Sequence, residues 1–254
     1  IESYAFAADD ADNDGMKDSW ESANGLNTTV NDALVDSDGD NAPNWLEFQA
    51  GSDPQVKAPV SGGLVHELWT GISGRFVDDL TSSSKFLQQP DMKSISTWSA
   101  GPFNWGGEHG NRLRGYITPT ESGNYTFWAE GNKQVEVLLS SDADKFNKQS
   151  LIKTVYGGAY NGFNFDFDIA QQSGATYLEA GQAYYIEVLH KSTHKNLDYF
   201  AVAWTKPDGT RQMVPSANLS TFAGQANDLD DDGLEDSWEL ANGLSITDNG
   251  SVNP

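Results

Sequence analysis

The chain has 254 residues, a formal net charge of −22 and no cysteine. Without cysteine it has neither disulfides nor thiolate metal sites, and no stretch approaches the roughly 20 apolar residues of a membrane span, so we expect no membrane insertion. The charge is concentrated at the two ends: residues 1–55 hold 13 acidic residues and one Lys, residues 223–254 hold eight acidic residues, and the middle is nearly neutral. Ends this acidic repel a polyanion, so we expect no nucleic-acid partner.

The acidic ends carry a twelve-residue pattern three times, at residues 10–21 (loop 1), 36–47 (loop 2) and 228–239 (loop 3). Each copy has oxygen side chains at positions 1, 3, 5, 9 and 12 and a Gly or Asn at position 6, where a tight turn is needed. This spacing lets a loop wrap one Ca²⁺, with a backbone carbonyl at position 7 and a bidentate carboxylate at position 12, whereas a solvated acidic run needs no fixed spacing. The sequence therefore predicts about three bound Ca²⁺ ions. The predicted ligands are Asp10, Asp12, Asp14, Met16, Asp18 and Glu21; Asp36, Asp38, Asp40, Ala42, Asn44 and Glu47; and Asp228, Asp230, Asp232, Leu234, Asp236 and Glu239.

From residue 64 onward, apolar and polar residues alternate with the period of two that is typical of strands. Gly, Asn, Ser and Pro clusters separate these runs, and no helix of three turns is apparent between residues 64 and 222. The pattern predicts an all-β sandwich or barrel that is large enough for its own core. Strands are predicted at residues 65–69, 112–117, 124–129, 135–139, 163–169, 184–190 and 200–204.

These observations divide the chain into three parts: a calcium-binding segment at residues 1–55, a β domain at residues 56–222, and a calcium-binding segment at residues 223–254. A segment of about 30–50 residues buries too little apolar surface to fold unaided, so we expect Ca²⁺ to stabilise both ends. Because the sequence opens on Ile1 without Met, we expect a piece of a longer polypeptide with neighbouring modules.

The two acidic segments resemble the bacterial thrombospondin type-3 repeat family over about residues 8–54 and 226–244. Paired EF-hands have an apolar residue at position 8, whereas these loops have Lys17, Pro43 and Glu235 there, and Pro43 has no N–H to donate. The helix predicted after loops 1 and 3 is short because an Asn-Gly pair follows it. The resemblance implies small EF-hand-like loops that act as calcium-clamped spacers of extracellular proteins.

The middle region contains characteristic blocks at residues 63–72, 111–116, 122–128 and 177–191, followed by 197–204 and 207–209. In this order the blocks resemble those of the protective-antigen (PA-14) domain family, and the resemblance covers about residues 62–218. The resemblance implies a β-sandwich or barrel that occurs in adhesins, glycosidases and toxins, frequently as a carbohydrate-binding module.

One position departs from the sugar-binding members of that family. Those members have two adjacent aspartates after the strand equivalent to residues 125–129, and the aspartates hold a Ca²⁺ that sugar hydroxyls ligate. Here the equivalent pair is Asn132-Lys133, and an ammonium group repels Ca²⁺. The departure argues against calcium-dependent sugar binding at this pair.

Two loops rich in Gly and aromatic residues are further candidates for sugar contacts, because aromatic rings stack on sugars and polar side chains reach hydroxyls. Ordinary turns with a core aromatic are the alternative interpretation. The candidate ligand-binding residues are Asn132, Lys133, Trp105, Glu108, His109, Tyr160 and Asn161.

Catalytic motifs are not apparent. His190 and His194 have a zinc-like spacing, but that spacing aligns two imidazoles only on a helix, and His190 follows a predicted strand. The sequence has no nucleophile elbow, phosphate-binding loop or metalloprotease motif, so we expect no enzyme.

The sequence therefore predicts a non-catalytic, calcium-stabilised module of a larger bacterial adhesin or secreted protein, located outside the cell or at its surface. Its expected partner is carbohydrate or a cell-surface glycan. A structural spacer without sugar binding and an accessory part of a glycoside hydrolase are the alternatives.

Overall fold

Two antiparallel β-sheets packed face to face dominate the computed structural model of the chain. The residues that the structure describes are 9–12, 14, 16–33, 35, 37–38, 44, 47–48, 53–56, 62–86, 88, 90–101, 106–154, 165, 169–193, 198–221 and 240–243. No helix among them is long and apolar enough to cross a membrane.

The regular elements of these residues are short helices and strands of two to nine residues. The α-helices are α1 (Asp18–Ala23) and α2 (Val77–Thr81), and 3₁₀ turns occur at Lys145–Asn147, Ile169–Gln171 and Ser216–Asn218. The strands are β1 (Leu64–Thr70), β2 (Met92–Ser96), β3 (His109–Ile117), β4 (Gly123–Gly131), β5 (Gln134–Leu139), β6 (Gln149–Lys153), β7 (Gln172–Leu178), β8 (Tyr184–Ser192), β9 (Phe200–Thr205), β10 (Arg211–Met213) and β11 (Leu219–Ser220).

The large sheet has the strand order β2-β1-β3-β8-β5-β6, and the small sheet has the order β10-β9-β4-β7. β11 pairs with the end of β3, with Leu219 opposite Ile117, where β1 no longer covers that edge. β4 and β5 are consecutive in sequence but lie in different sheets, so the turn at Asn132-Lys133 crosses from one sheet to the other.

The core lies between the sheets because apolar residues occupy alternate positions of their central strands. In β9, Phe200, Val202 and Trp204 point into this core, and the ring of Trp204 lies 4.9 Å from that of Tyr125 in β4. The other core residues are buried in the same way: Leu64, Leu113, Ile117, Phe127, Ala129, Val135, Val137, Leu139, Ile152, Leu178, Tyr184, Ile186, Val188, Val214 and Leu219.

The predicted all-β class is confirmed, and six of the seven predicted strands lie within observed ones. The strand predicted at residues 163–169 is wrong where the structure describes it. Phe165 lies in a turn and Ile169 begins a 3₁₀ turn, with 84% of its side chain exposed. Phe165 is buried, but it packs in a cluster outside the sandwich core, so alternation of apolar residues did not indicate a strand there.

Candidate functional site

Loop 1 is coiled so that its first three aspartates converge. The N–H of Asp14 donates to Asp10 Oδ1 at 3.1 Å and to Asp12 Oδ1 at 3.2 Å. Asp18 Oδ1 accepts the N–H of Ala11 at 2.8 Å, which joins the end of the loop to its start. Asp10, Asp12 and Asp14 each place a carboxylate oxygen within 4.8 Å of the others. Such an arrangement of oxygen donors suits a hard cation such as Ca²⁺.

Helix α1 places Glu21, the last residue of loop 1, beneath these aspartates. The helix ends at Ala23 with Asn24 as its C-cap, and Gly25 follows with φ of +73°, as the Asn-Gly pair predicted. Glu21 is fully buried, and neither of its carboxylate oxygens has a hydrogen-bond partner within the described part of the chain. Burial of an ionised carboxylate without a hydrogen-bond donor is costly, so a cation bound next to Glu21 would stabilise it.

The pKa values of two buried carboxylates also indicate that loop 1 lacks positive charge. Burial and the nearby charges of Asp14 and Asp12 raise the pKa of Glu21 to about 7. Burial and the charges of Asp12 and Asp10 raise the pKa of Asp14 to about 6, although the N–H of Met16 opposes this. We refer to the carboxylates of Asp10, Asp12, Asp14 and Glu21 as the cage. A cation bound in the cage would lower the pKa values of Glu21 and Asp14 again.

The structure adds to loop 1 a carboxylate that the sequence pattern missed. Asp32 lies outside the twelve residues, yet one of its oxygens is within 4.8 Å of oxygens of both Asp14 and Glu21. The backbone fixes this approach, since the N–H of Ala33 donates to Asp14 Oδ2 at 3.1 Å.

Loop 2 and loop 3 are described only in part. In loop 2, Asn44 and Glu47 are fully buried, as ligands at positions 9 and 12 would be. Asn44 Nδ2 donates to the backbone carbonyl of Asp32 at 3.0 Å, while Asn44 Oδ1 is buried without a partner among the described residues. Asp38 is half-buried. The predicted ligands that lie outside the described residues are Asp36, Asp40 and Ala42 of loop 2 and Asp228, Asp230, Asp232, Leu234, Asp236 and Glu239 of loop 3.

Loop 1 packs on the outer face of the small sheet. The side chain of Met16 is fully buried and belongs to the same apolar cluster as Ala201 and Ala203, which alternate with the core residues of β9 and point outward. The cluster also contains Ala33, Trp98, Ala100, Phe165 and Met213, with Trp20, Leu26, Phe48 and Trp128 packed against it. Small alanine side chains let the loop approach the sheet closely, so the candidate calcium site is joined to the sandwich by apolar contact.

The described candidates for ligand binding lie together at one end of the sandwich, where β4, β5, β8 and β9 end or begin. We refer to residues 106–109, 131–134 and 198–199 as the loop end. β3 begins there at His109, which is paired with Ser192 at the end of β8, and β4 ends there at Gly131, which is paired with Phe200. Trp105, Tyr160 and Asn161 lie outside the described residues.

Buried polar contacts hold the first part of the loop end in place. His109 Nε2 lies 3.0 Å from Asp198 Oδ2, and both side chains are almost completely buried. Asp198 Oδ1 accepts the N–H of Gly106 at 3.0 Å. Burial would raise the pKa of Asp198, but the His109 and Gly106 donors outweigh it and keep that pKa below its usual range. Glu108 is exposed and accepts a hydrogen bond from Ser73 Oγ. His109 is therefore a scaffold for the loop, whereas Glu108 faces solvent.

The Asn132-Lys133 turn is supported by its backbone and by His190. The N–H of Asn132 donates to the carbonyl of Tyr199 at 2.9 Å, and the carbonyl of Asn132 accepts from His190 Nε2 at 2.7 Å. Burial lowers the pKa of His190 to about 3, so the ring is neutral and its Nδ1 accepts from Asn111 Nδ2. Lys133 has φ of +79°, a conformation that Gly or Asn adopts more easily. This geometry supports the structural interpretation of His190 over a zinc site.

Comparison with solved structures finds partial matches at low sequence identity. A PA14 sugar-binding domain from an RTX adhesin is 11% identical, with a TM-score of 0.47 over 63% of this chain and 99% of that chain. The epithelial adhesin 6 A domain from Candida glabrata, in complex with Galβ1-3GlcNAc, is 13% identical, with a TM-score of 0.46 over 65% of this chain and 89% of that chain.

A third structure is an anti-sigma factor domain-containing protein from Clostridium clariflavum, which is 19% identical, with a TM-score of 0.43 over 63% of this chain. The match covers 47% of that protein, so this chain corresponds to about half of its length. No curated protein matches the chain.

The PA14 domain family matches residues 75–218, more than half of the chain. The matched range runs from just before α2 to just before β11 and includes most of both sheets, together with the loop end. It lies within the β domain that the sequence predicted at residues 56–222. The chain therefore belongs to the PA14 domain family.

Proposed function

We propose that the chain is a non-catalytic, calcium-stabilised module of a larger extracellular bacterial protein, and that its PA14 domain binds carbohydrate at the loop end. The observation that carries the calcium part is the buried Glu21 carboxylate, which faces Asp14 and has no donor among the described residues. Membership of the PA14 family supports the carbohydrate part.

Calcium would act in this module as a structural clamp. The clusters of possible ligands around loop 1 in the described part of the chain consist of carboxylates, and residues 10–21 include neither His nor Cys, the nitrogen and thiolate donors that zinc or copper prefers. With a dissociation constant near ~10⁻⁴ M and millimolar Ca²⁺ outside the cell, each occupied loop contributes about 1.4 kcal/mol to folding. Filling loops 1 and 2 would hold the first acidic segment against the small sheet, and loop 3 would take the third ion.

Carbohydrate binding would use the exposed groups of the loop end. Glu108 is exposed and Lys133 is half-buried at the same end of the sandwich, and both can hydrogen-bond to hydroxyls. The buried His109–Asp198 pair and the contacts of Asn132 fix the backbone around them. Binding residues commonly lie on loops that a rigid scaffold such as this β-sandwich holds in position.

A structural spacer without sugar binding is the second candidate, and Lys133 favours it. Lys133 occupies the sequence position at which the sugar-binding members have an aspartate that ligates Ca²⁺. The carbonyl of Asn132, a possible ligand atom, already accepts a hydrogen bond from His190. A spacer would use the calcium loops to set the distance between neighbouring modules and would leave the loop end without a ligand.

A glycan array with the intact chain separates these two functions. The proposal predicts saturable binding to at least one class of glycan, weakened by Glu108→Gln and unchanged by Asp208→Asn, which removes one charge from an exposed turn away from the loop end. The spacer predicts no binding to any glycan, with or without Ca²⁺. Turnover of any bound glycoside would overturn the non-catalytic assignment.

A further inference from the structure

Asp32 occupies an unexpected position relative to the twelve-residue pattern. It follows Glu21 by eleven residues and precedes loop 2, so the spacing rule assigns it to neither loop. In the structure its carboxylate faces loop 1, with one oxygen within 4.8 Å of oxygens of Asp14 and Glu21. A cluster of three carboxylates is unfavourable by itself, because like charges at this distance repel.

The surroundings of the cluster do not relieve this repulsion. Glu21 is fully buried, and both of its oxygens, together with Asp32 Oδ1, are buried without a hydrogen-bond partner within the described ranges. Asp32 Oδ2 has one long contact, 3.5 Å, from the N–H of Asn27. No Lys, Arg or His of the described residues forms an ion pair with Asp14, Glu21 or Asp32.

We propose that Asp32 is a ligand of the Ca²⁺ in loop 1, supplied from outside the loop. This assignment rests on the calcium site of the proposed function and adds one carboxylate to it. Ca²⁺ takes six to eight oxygens, and the number of charged ligands is one of the properties that set the affinity of such a site. An additional carboxylate makes loop 1 a tighter site than its twelve residues would be.

The same residue links loop 1 to loop 2. While the side chain of Asp32 faces Glu21, its carbonyl accepts a hydrogen bond from Asn44, the position-9 residue of loop 2. Next to it, Ala33 donates its N–H to Asp14 and buries its side chain in the cluster on the small sheet. An ion in loop 1 therefore fixes residues 32 and 33, which orient Asn44. Binding in loop 1 is expected to favour binding in loop 2.

Calcium titration of the intact chain by isothermal titration calorimetry, with the ions counted by native mass spectrometry, tests the assignment. Asp32→Asn is expected to weaken at least one site by about tenfold or more, because it removes a charged ligand. Asp9→Asn is the matched control. It removes the same charge from the same segment at a residue whose side chain bonds to Ser19 outside the cage, and its isotherm should stay within about twofold of the parent.

Glu21→Gln separates failure of this inference from failure of the calcium site itself. If Glu21→Gln loses a site while Asp32→Asn titrates like Asp9→Asn, the site stands and the role of Asp32 is wrong. If the parent chain binds no ion, both are wrong. The melting temperature of the sandwich at saturating Ca²⁺ should be the same for all three variants. That result would show that the sandwich of Asp32→Asn remains folded.

Discussion

Removal of calcium should release the first acidic segment from the small sheet while the sandwich stays folded. The cage and the sheet meet through Met16, which sits inside loop 1 and is fully buried against Ala201 and Ala203. The sandwich has a separate core between its own sheets. Loss of the ion therefore affects the apolar contact outside the small sheet and leaves the core contacts in place.

The size of this effect follows from the two loops and from the contact they hold in place. At millimolar Ca²⁺ and a dissociation constant near ~10⁻⁴ M, two occupied loops contribute roughly 3 kcal/mol. Burial of the Met16 side chain contributes about 1.5–3 kcal/mol. The contribution of the two ions is therefore similar to that of the Met16 contact, and a segment of this size does not fold alone. Removing both ions should shift the segment from mostly docked on the small sheet to mostly detached.

Tryptophan fluorescence and limited proteolysis with and without EGTA measure the detachment. Trp98 is 7% exposed beneath the segment, and Trp20 and Trp128 pack around the same cluster, so their emission should shift to the red. New cleavage sites should appear within residues 9–54 and not within β3 or β8. A matched variant, Met16→Ala, should reproduce part of the shift in the presence of Ca²⁺. Identical spectra and identical cleavage patterns with and without EGTA would refute the proposal that calcium holds the segment on the small sheet.

Three further predictions concern the sandwich. Burial would raise the pKa of Glu67, but the charges of Arg112 and Arg114 lower it to about 2. An acid with a lowered pKa stabilises the fold at pH values above its ordinary pKa of 4.5, and this stabilisation is lost as the pH falls toward 2. Glu67→Gln should therefore lower the free energy of unfolding in urea by about 3 kcal/mol at pH 7 and by clearly less at pH 3. An equal loss at both pH values would contradict the ion pairs. Lys133→Gly should leave the free energy of unfolding unchanged or raise it by up to about 1 kcal/mol, because Lys133 has a positive φ; a loss of stability would show that the side chain makes a contact of its own. Gly101→Ala should lower the free energy of unfolding by about 1–3 kcal/mol, because a methyl group at that position would overlap the ring of Phe200; a parent-like thermal melt would mean that the ring moves aside at little cost.

The sequence predicted the central strands because their apolar residues alternate between a buried and a wetter face. β4 is an example, with Tyr125 and Phe127 in the core and Thr126 between them. β2 lacked this signal. Its residues 92–96 are mostly exposed at the edge of the large sheet, so that pairing with β1, and not burial, defines the strand. Edge strands of this kind carry little sequence pattern.

The spacing in the sequence also predicted which carboxylates of loop 1 lie close together, but it did not predict that Asp32 approaches them from outside the loop. Asp10, Asp12, Asp14 and Glu21 are close in the chain, so their spacing alone indicated the cage. Asp32 lies close to the cage because the chain folds back after α1, and the spacing of residues within loop 1 does not predict that path. A hint was present in the sequence: Asp32 is an additional acidic residue between two loops that already carry excess negative charge.

The docking of loop 1 was not predicted for a related reason. The outward residues of β9 that receive Met16 are alanines, which occur on buried and exposed surfaces alike and so do not indicate an interface. At the loop end, the sequence named His109 as a candidate for ligand contact, and the structure shows its side chain buried against Asp198. Its distinction from exposed Glu108 depends on the pairing of β3 with β8, which local sequence does not specify.

The central claim is that the carboxylates around Glu21 enclose a divalent cation. Anomalous diffraction from crystals of the intact chain grown with Tb³⁺ as a calcium substitute tests it most directly. The account predicts a strong anomalous peak about 2.3–2.6 Å from oxygens of Asp14, Glu21 and Asp32. A map with no peak there, with a Lys, an Arg or an ordered water bound to the Glu21 carboxylate instead, would contradict it.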